Sequence, residues 1–377
     1  MAVALLAACA SDHAVNPDGS TAYEVSVATA DGEAMMAWHG RSGRGFDAIH
    51  IRRLDRQGQP LGEAAAITDG QRYAYEPDLQ LAGTLPILAW YEKAPNTGAL
   101  TGWLAALDDR GRPRWKHRLD AAGGWARNPV IRVRGATLYV AWIETPTNGD
   151  GEPAVWTARF KTDGQMLSVP MKAGRASRDS WNLNAAIGPD GRFRVVYDAR
   201  LGNRANELQL LTIGPESAQQ VQLSADDGFA SLYPDLGFGA GGHAAMTWFD
   251  ERDGNQEIYL AMMDLSAQAK PLVEHRISRT EGASIGAYLA WNGARLALVW
   301  CETEEGRQSL YGASFDAAGQ ETVPPHRLAR SKLNASIPSI RPFGAGFLVG
   351  WNDYEKQQNS GHGDTAAQSV ARTMLLP

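Results

Sequence analysis

Cysteine, long apolar runs and clustered positive charge are all scarce in this sequence. Its 377 residues include two cysteines, Cys9 and Cys301, too few for a disulfide framework, and no Cys/His spacing typical of a zinc site accompanies them. No stretch reaches the roughly 18 apolar residues of a spanning helix. The net charge is −6 without any basic block. This argues against a nucleic-acid partner, because binding phosphates requires clustered lysine and arginine.

Helical periodicity is missing as well, since apolar residues do not recur every 3.6 positions. The chain is instead rich in glycine and tryptophan, with 40 and 12 residues respectively. Many glycines predict many tight turns, and regularly placed tryptophans predict large apolar anchors.

An aromatic residue that ends an apolar run and precedes polar residues recurs seven times. Successive spacings are 52, 52, 55, 51, 52 and 51 residues, at Trp38, Trp90, Trp142, Tyr197, Trp248, Trp300 and Trp351. Each repeat contains four short segments joined by turns rich in Gly and Asp. Four antiparallel strands per roughly 50 residues are typical of a propeller blade. The sequence therefore predicts an all-β, seven-bladed β-propeller of four-stranded antiparallel blades.

A proline recurs 13 or 14 residues before the marker aromatic, at Pro77, Pro129, Pro234 and Pro338. We expect it to open the first strand of a blade, where no ladder donor is lost. Residues 11–377 then form one propeller domain, with units near 23–68, 76–120, 128–175, 181–224, 233–278, 285–329 and 337–374.

The two chain ends are predicted to complete one blade together. The last unit stops after its third strand, at 368–374, so its fourth strand is missing. His13 lies 25 residues before Trp38, the offset at which His117, His275 and His326 of other fourth strands precede their next marker. Residues 13–16 would therefore supply the outer strand of the last blade and leave no open sheet edge there.

Residues 1–10 resemble the end of a lipoprotein leader. Met1 to Ala8 is apolar, and Leu6-Ala7-Ala8-Cys9 matches the lipobox at which bacterial lipoprotein signal peptides are cut. The stretch before Cys9 is short and has no basic residue, so a longer leader upstream is expected. The prediction is a protein of the bacterial cell envelope, in the periplasm or at the outer membrane, lipid-anchored at Cys9. The alternative is an apolar terminus with a chance cysteine.

Candidate functional residues gather on one predicted face. Turns between second and third strands should share that face with the links between blades. These turns carry Glu92, Glu144, Asp198, Asp250, Glu302 and Asp353, with Arg41, Arg200 and Arg252 nearby. The links add Arg72, Tyr73, Tyr75, Trp125, Arg127, Arg178, Trp181 and Tyr233.

These residues have two interpretations. In a ligand site, paired carboxylates act as acid and base, arginines clamp a carboxylate or sulfate, and aromatic rings stack on sugars. In a purely architectural arrangement, each acid ties down its own turn. An acid present in nearly every unit fits the second better, because one active site needs one copy. The unrepeated Trp125, Arg127, Arg178 and Tyr233 are therefore stronger ligand-binding candidates.

No metal or other cofactor is predicted. The segments 148–152 and 250–255 are oxygen-rich like calcium loops, but they lack the full EF-hand pattern, so ordinary turns are expected. Cys301 follows Trp300 in an apolar strand and is expected to be a small core residue.

The segments Asp198-Ala-Arg200 and Asp250-Glu-Arg252, with Asn255-Gln-Glu-Ile-Tyr259, resemble repeats of bacterial sialidase-like (BNR-type) propeller proteins, many of which are exported. The Asp box Ser-x-Asp-x-Gly-x-x-Trp is not matched, because the segment 224–229 begins like one and has no Trp. The resemblance thus implies a propeller and assigns no catalytic residue.

The leading functional prediction is a cell-envelope propeller that binds a carbohydrate or another envelope component on its axial face. One alternative is a polysaccharide-active enzyme, either a glycosidase or a lyase. Another is a scaffold in an envelope protein assembly. Contact with the membrane is expected only through the lipid at Cys9.

Overall fold

The computed structural model describes residues 11–43, 45–147, 151–265, 269–329, 333–355 and 368–377. Cys9 and residues 148–150 lie outside these ranges. The described residues form seven antiparallel sheets arranged as the blades of a propeller, as the sequence predicts. In blades 1 to 6 the strand order follows the chain from the axis outward, whereas the outermost strand of blade 7 is the N-terminal one. The one helical element in the described ranges is a 3₁₀ turn, Ala240–Gly242, and none of their helices could cross a membrane.

The strands of blades 1 to 3 are β2 (Tyr23–Ala30), β3 (Glu33–Gly40), β4 (Ala48–Leu54), β5 (Pro60–Ala66); β6 (Tyr73–Ala82), β7 (Leu85–Lys93), β8 (Leu100–Leu107), β9 (Pro113–Leu119); β10 (Trp125–Arg134), β11 (Thr137–Thr145), β12 (Ala154–Lys161), β13 (Met166–Arg175). Those of blades 4 to 6 are β14 (Leu183–Ile187), β15 (Phe193–Ala199), β16 (Glu207–Ile213), β17 (Ala218–Gln222); β18 (Ser231–Phe238), β19 (Ala244–Asp250), β20 (Glu257–Asp264), β21 (Lys270–Arg276); β22 (Ser284–Asn292), β23 (Arg295–Glu304), β24 (Arg307–Phe315), β25 (Glu321–Arg327). Blade 7 combines β26 (Asn334–Ala335), β27 (Ser339–Phe343), β28 (Gly346–Tyr354), β29 (Ser369–Leu376) and β1 (His13–Ala14).

The N-terminal strand closes the propeller. In the β1–β29 pair, His13 lies opposite Thr373 and Ala14 opposite Arg372. The ladder continues as the Val15 amide donates to the Ala371 carbonyl at 2.8 Å. Asn16 extends the junction, because its Oδ1 accepts the Ala371 amide at 2.7 Å. The predicted closure is therefore confirmed.

The marker aromatics form the apolar layers between blades. All seven are at most 2% exposed: Trp38, Trp90, Trp142, Tyr197, Trp248, Trp300 and Trp351. Each packs against side chains of a neighbouring sheet, so the hydrophobic core is divided into seven inter-blade clusters. Truncating one such tryptophan to alanine typically costs about 3–5 kcal/mol.

Three of the four recurring prolines do not open the inner strands, whereas Pro338 directly precedes β27. Pro77, Pro129 and Pro234 lie inside β6, β10 and β18, at β-bulges where the register with the second strand shifts. A bulge leaves its extra residue out of the ladder, so a proline there loses no hydrogen bond. These three strands begin before the proline. They contain five residues assigned to links from the sequence: Tyr73, Tyr75, Trp125, Arg127 and Tyr233. Arg72, Arg178 and Trp181 do lie in links.

Candidate functional site

The repeated acids hold the turns of the propeller together. Glu144 is 2% exposed and accepts the backbone N–H groups of Ala121, Ala122 and Gly124 at 2.7–2.9 Å. Its fourth donor is the indole N–H of Trp142, at 3.1 Å. The carboxylate thus ties the marker aromatic to the link that leads into β10.

The same indole-to-carboxylate bond occurs in five blades. Its length is 3.0–3.1 Å in Trp90–Glu92, Trp142–Glu144, Trp248–Asp250, Trp300–Glu302 and Trp351–Asp353. A buried indole N–H needs an acceptor, and a carboxylate two residues along the same strand face provides one. Glu302 is 5% exposed, and burial raises its pKa. These contacts support the architectural interpretation of the repeated acids.

Asp250 and Arg252 also bond within their own turn. The Asp250 carboxylate accepts the Ser231 hydroxyl and the Arg252 guanidinium, both at 2.8 Å. The guanidinium also pairs with Glu274 at 2.8 Å, and its hydrogen bond to Asp250 raises its pKa. Arg200 is exposed and donates to the Asn203 carbonyl at 3.2 Å. No cluster of His, Cys, Asp and Glu suited to a metal occurs in the described ranges.

Arg127 is 4% exposed and lies in β10, not on the open surface of a link. Its guanidinium donates to the carbonyls of Ser180 and Arg178 and stacks on the Trp181 ring, 4.5 Å from the centroid. It therefore fastens the link between blades 3 and 4 to the inner strand of blade 3. Arg178 itself is exposed, as is Trp125, at 37%.

The inner strands enclose a polar well on the propeller axis, with a volume of about 200 Å³. Its mouth lies on the face that carries the links and is formed by Glu24, Glu76, Asn128, Asn182 and Tyr233, which we call the mouth ring. One level deeper lie Ser26, Asp78, Asn184, Asp235, Tyr288 and Ser339, the waist. Arg341, two residues beyond Ser339 in β27, lines the inner end.

Four members of the mouth ring have a left-handed backbone. Their φ angles are +45° at Glu24, +47° at Glu76, +50° at Asn128 and +54° at Tyr233. Blade 6 places Gly286, with φ +63°, at the corresponding bulge. Left-handed residues other than glycine cost of order 1–3 kcal/mol each and concentrate at functional sites. A glycine could adopt the conformation of this bulge without strain. The backbone geometry alone therefore does not explain why Glu, Asn and Tyr occupy these positions.

Two carboxylates from successive blades meet at the mouth. Oε2 of Glu24 accepts the Glu76 amide at 3.2 Å and lies 3.1 Å from Nδ1 of His39. Asn128 donates its side-chain amide to Oε2 of Glu76. Burial, and then repulsion from Glu24, raises the pKa of Glu76 well above its ordinary value. The protonated form of Glu76 is therefore favoured, beside the carboxyl group of Glu24.

A cluster of mostly buried aromatic rings packs beside Glu24 and Glu76 in blades 1 and 2. Tyr75 lies 5.4 Å from Tyr91 and 5.3 Å from the His39 ring, centroid to centroid, and Tyr23 lies 5.5 Å from His39. Tyr233 faces the acids from blade 5, and burial followed by the Glu76 charge raises its pKa to about 12. The Tyr233 amide donates to Asp198 at 3.2 Å.

The waist joins the inner strands to one another. The hydroxyl of Ser26 accepts the Leu79 amide of the next blade at 3.0 Å, and Asp78 accepts the Ile131 amide at 2.7 Å. Corresponding bonds link Asp235 to the Leu289 amide at 3.0 Å and Ser339 to the Val27 amide at 3.1 Å. These waist side chains are consequently part of the fold.

A larger groove of about 530 Å³ lies on the opposite face, between blades 3 and 4. It is formed by the turns at Asp190–Gly191 and 214–217 and by the outer strand β13. Its one carboxylate, Asp190, is already bound by Arg194 at 2.7 Å. The axial well gathers polar side chains from several blades and is the better candidate.

Of the residues selected from sequence, Tyr233 and Trp181 line the well, while Arg127 and Asp198 support its rim. Glu24, Glu76, Asn128 and Arg341 were missed, although a signal existed. Glu24, Glu76 and Asn128 are spaced by 52 residues, each 14 before its marker, and two of them directly precede the recurring proline.

No family model matches the sequence, and no curated protein matches it. Among solved structures, the chain is similar to a protein of unknown function from Dyadobacter fermentans, with a TM-score of 0.56, 12% identity and 97% coverage of both chains. It is also similar to an ulvan lyase from a new family of polysaccharide lyases, with a TM-score of 0.59, 11% identity and coverage of 93% of this chain and 91% of that one. A neuraminidase-like protein from A/little yellow-shouldered bat/Guatemala gives a TM-score of 0.52 at 8% identity, covering 80% and 96%. At these identities the comparisons establish a propeller fold shared with known proteins.

Proposed function

We propose that this propeller binds a carbohydrate in the axial well. The observation that carries the proposal is the mouth ring, where four side chains from four blades converge from left-handed backbone positions. Carboxylates and an amide supply hydrogen bonds for sugar hydroxyls, and the rings of Tyr233 and Trp181 supply apolar faces. A carbohydrate is proposed over other polar ligands because the structurally similar ulvan lyase is described as bound to a -[GlcA(1-4)Rha3S]- saccharide.

A glycan array followed by calorimetric titration of the chain 11–377 tests this proposal. Tyr233→Phe removes one hydroxyl from the mouth ring and should weaken binding at least fivefold, with stability within about 1 kcal/mol. Tyr139→Phe is the matched control, because Tyr139 lines the groove on the opposite face. Equal weakening by both substitutions, or binding to no glycan, would contradict a site in the well.

The Glu24–Glu76 pair favours a second candidate function, hydrolysis of a glycosidic bond. Glu76 would donate its proton to the glycosidic oxygen as the C–O bond breaks. The oxygen of a water molecule would bond to the anomeric carbon, and the proton of that water would pass to Glu24. Such acid–base assistance typically contributes about 10²–10⁴-fold in rate.

Release of reducing ends from polysaccharides distinguishes an enzyme from a binding protein. Glu76→Gln should retain binding and lower turnover at least 100-fold, since Gln cannot donate the proton. Glu302→Gln, which alters a repeated acid outside the well, should leave turnover unchanged. If the wild-type chain binds a glycan and releases no ends, the protein is a binding module.

We further propose that the protein is held at the bacterial envelope by a lipid on Cys9, for which the support is the lipobox at Leu6–Cys9. Expressed with its upstream leader, the wild-type chain should incorporate labelled palmitate, and Cys9→Ala should not. Cys301→Ala controls for the second cysteine, which is 1% exposed. Equal labelling of wild type and Cys9→Ala would remove the lipid anchor.

A further inference from the structure

The inner end of the axial well contains an arginine that the fold does not neutralise. Arg341 is half-buried and lines the well. Its single hydrogen bond among the described residues runs to the Ile340 carbonyl at 2.8 Å, and it forms no ion pair with them. A guanidinium has five N–H donors, so Arg341 keeps donors that a ligand could use.

The acids near Arg341 are already engaged. Asp78 accepts the Arg132 guanidinium at 3.0 Å and the Ile131 amide at 2.7 Å. Asp235 accepts the amides of Leu289 and Leu236 at 3.0 and 2.9 Å, and burial raises its pKa. Neither acid contacts Arg341 directly, and both attract it only at longer range.

Arg132 lies at the same level and is already paired with Asp78. It lies two residues beyond Val130 in β10, as Arg341 lies two beyond Ser339 in β27. Burial, and then repulsion from Arg132, lowers the pKa of Arg341. An anionic group placed beside Arg341 would relieve both effects, because it compensates the desolvated charge and separates the two cations.

Among the described residues, Arg341 is therefore the one cation in the lining of the well, and no carboxylate forms an ion pair with it. Glu24 and Glu76 lie at the mouth, Asp78 and Asp235 are bonded at the waist, and Arg341 lies at the inner end. A ligand that fits this arrangement has neutral hydroxyl groups toward the mouth and an anion beside Arg341. The volume of about 200 Å³ is below the ~300–1,000 Å³ of pockets for drug-sized ligands, so a single sugar ring fits inside.

We propose that the well accepts one acidic sugar residue, at a chain end or side branch, whose carboxylate or sulfate binds Arg341. This inference rests on the proposed carbohydrate function and names its substrate class. Arginine suits the role because its planar fork binds carboxylate and sulfate through paired hydrogen bonds. The remainder of the glycan would lie across the mouth, against Trp181, which lines the well and is 46% exposed.

Titration with matched monosaccharides tests the proposal. Glucuronate, glucose 6-sulfate and glucose differ in the anionic group, and their binding to the chain 11–377 can be followed by NMR. We expect at least a tenfold preference for one of the two anionic sugars over glucose, weakening as salt is added. The anion that binds more tightly identifies the substituent as a carboxylate or a sulfate.

Two variants locate the anion. Arg341→Gln should reduce the affinity for the acidic sugar to that for glucose, while Arg341→Lys should retain part of the preference. Arg295→Gln is the control, because Arg295 bonds the Ala345 carbonyl in an exposed turn. If Arg341→Gln does not fold, the lysine variant and the salt dependence of the wild type still decide the question.

Failure of this inference differs from failure of the proposed function. Suppose that glucose and glucuronate bind with equal affinity and that Tyr233→Phe weakens the binding of both. The well then binds carbohydrate without a preference for an anionic group, and the proposed role of Arg341 is refuted. If no sugar responds to Tyr233→Phe, the carbohydrate function itself is refuted.

Discussion

The indole N–H of Trp142 donates to Glu144 at 3.1 Å, and the same carboxylate accepts three backbone amides of the link at 121–124. One side chain therefore satisfies a buried aromatic group and the chain segment that enters the next blade. We therefore expect Glu144 to contribute to the stability of the fold rather than to ligand binding.

Glu144→Gln should lower the free energy of unfolding by about 2–3 kcal/mol. Glutamine replaces one acceptor oxygen with an NH₂ group, which faces donors that are then left unpaired. Thermal and urea denaturation would measure the loss. Glu216→Gln, at an exposed loop position, is the matched control and should be silent. A stable Glu144→Gln variant with impaired ligand binding would reverse the assignment.

Arg127→Ala should also destabilise the protein, by about 2–4 kcal/mol. The substitution leaves the Ser180 and Arg178 carbonyls without their donor and removes the contact with the Trp181 ring. Arg127→Lys, which keeps the charge and loses the planar fork, should recover part of the stability. Unchanged denaturation curves for the alanine variant would return Arg127 to the ligand-binding candidates.

Asp198 should make stability depend on pH. It is 1% exposed, and burial raises its pKa to about 7. Between an unfolded pKa near 3.9 and this folded value, the native state holds a proton that the unfolded state has lost. Its contribution is therefore fully present below about pH 4 and is lost as pH rises to about 7, by up to about 4 kcal/mol.

Asp198→Asn should flatten this dependence and raise stability at pH 8 relative to the wild type. Denaturation midpoints between pH 4 and pH 8 would show the difference, with Asp227→Asn as an exposed control. Parallel pH profiles for wild type and Asp198→Asn would mean that the carboxyl group titrates normally.

Deleting residues 1–16 should lower the melting temperature by many degrees or cause aggregation. The deletion removes β1 and Asn16, and so exposes the ladder groups of Thr373 and Ala371 in β29. Deleting residues 1–10 leaves the strand in place and should be nearly silent. Identical melting curves for the two deletions would show that closure by β1 contributes nothing to stability.

The sequence predicts the fold well because the repeat depends on bulky, buried residues at fixed spacing. Trp38 to Trp351 fill equivalent layers, so their period can be read without a structure. The terminal strand could also be predicted, because His13 lies as far before the next marker aromatic as the histidines of other outer strands do.

The candidate site was harder to predict from the sequence, because its geometry depends on β-bulges. The sequence analysis predicts Pro77 and Pro129 at the openings of their strands, which makes Glu76 and Asn128 the first residues of their units rather than residues at a bulge inside a strand. The bulge turns these residues toward the axis, where they meet side chains from other blades. Arg341 carries no repeat signal, since only its register relative to Ser339 places it in the well.

The direction of β1 has a consequence for how the molecule is presented. In the β1–β29 pair, His13 lies opposite Thr373, and the Val15 amide donates to the Ala371 carbonyl. From His13 to Val15 the chain therefore runs toward the face that carries the links. β1 consequently begins on the face opposite the links. An attachment at the start of this strand would leave the mouth of the well, on the other face, accessible to a ligand.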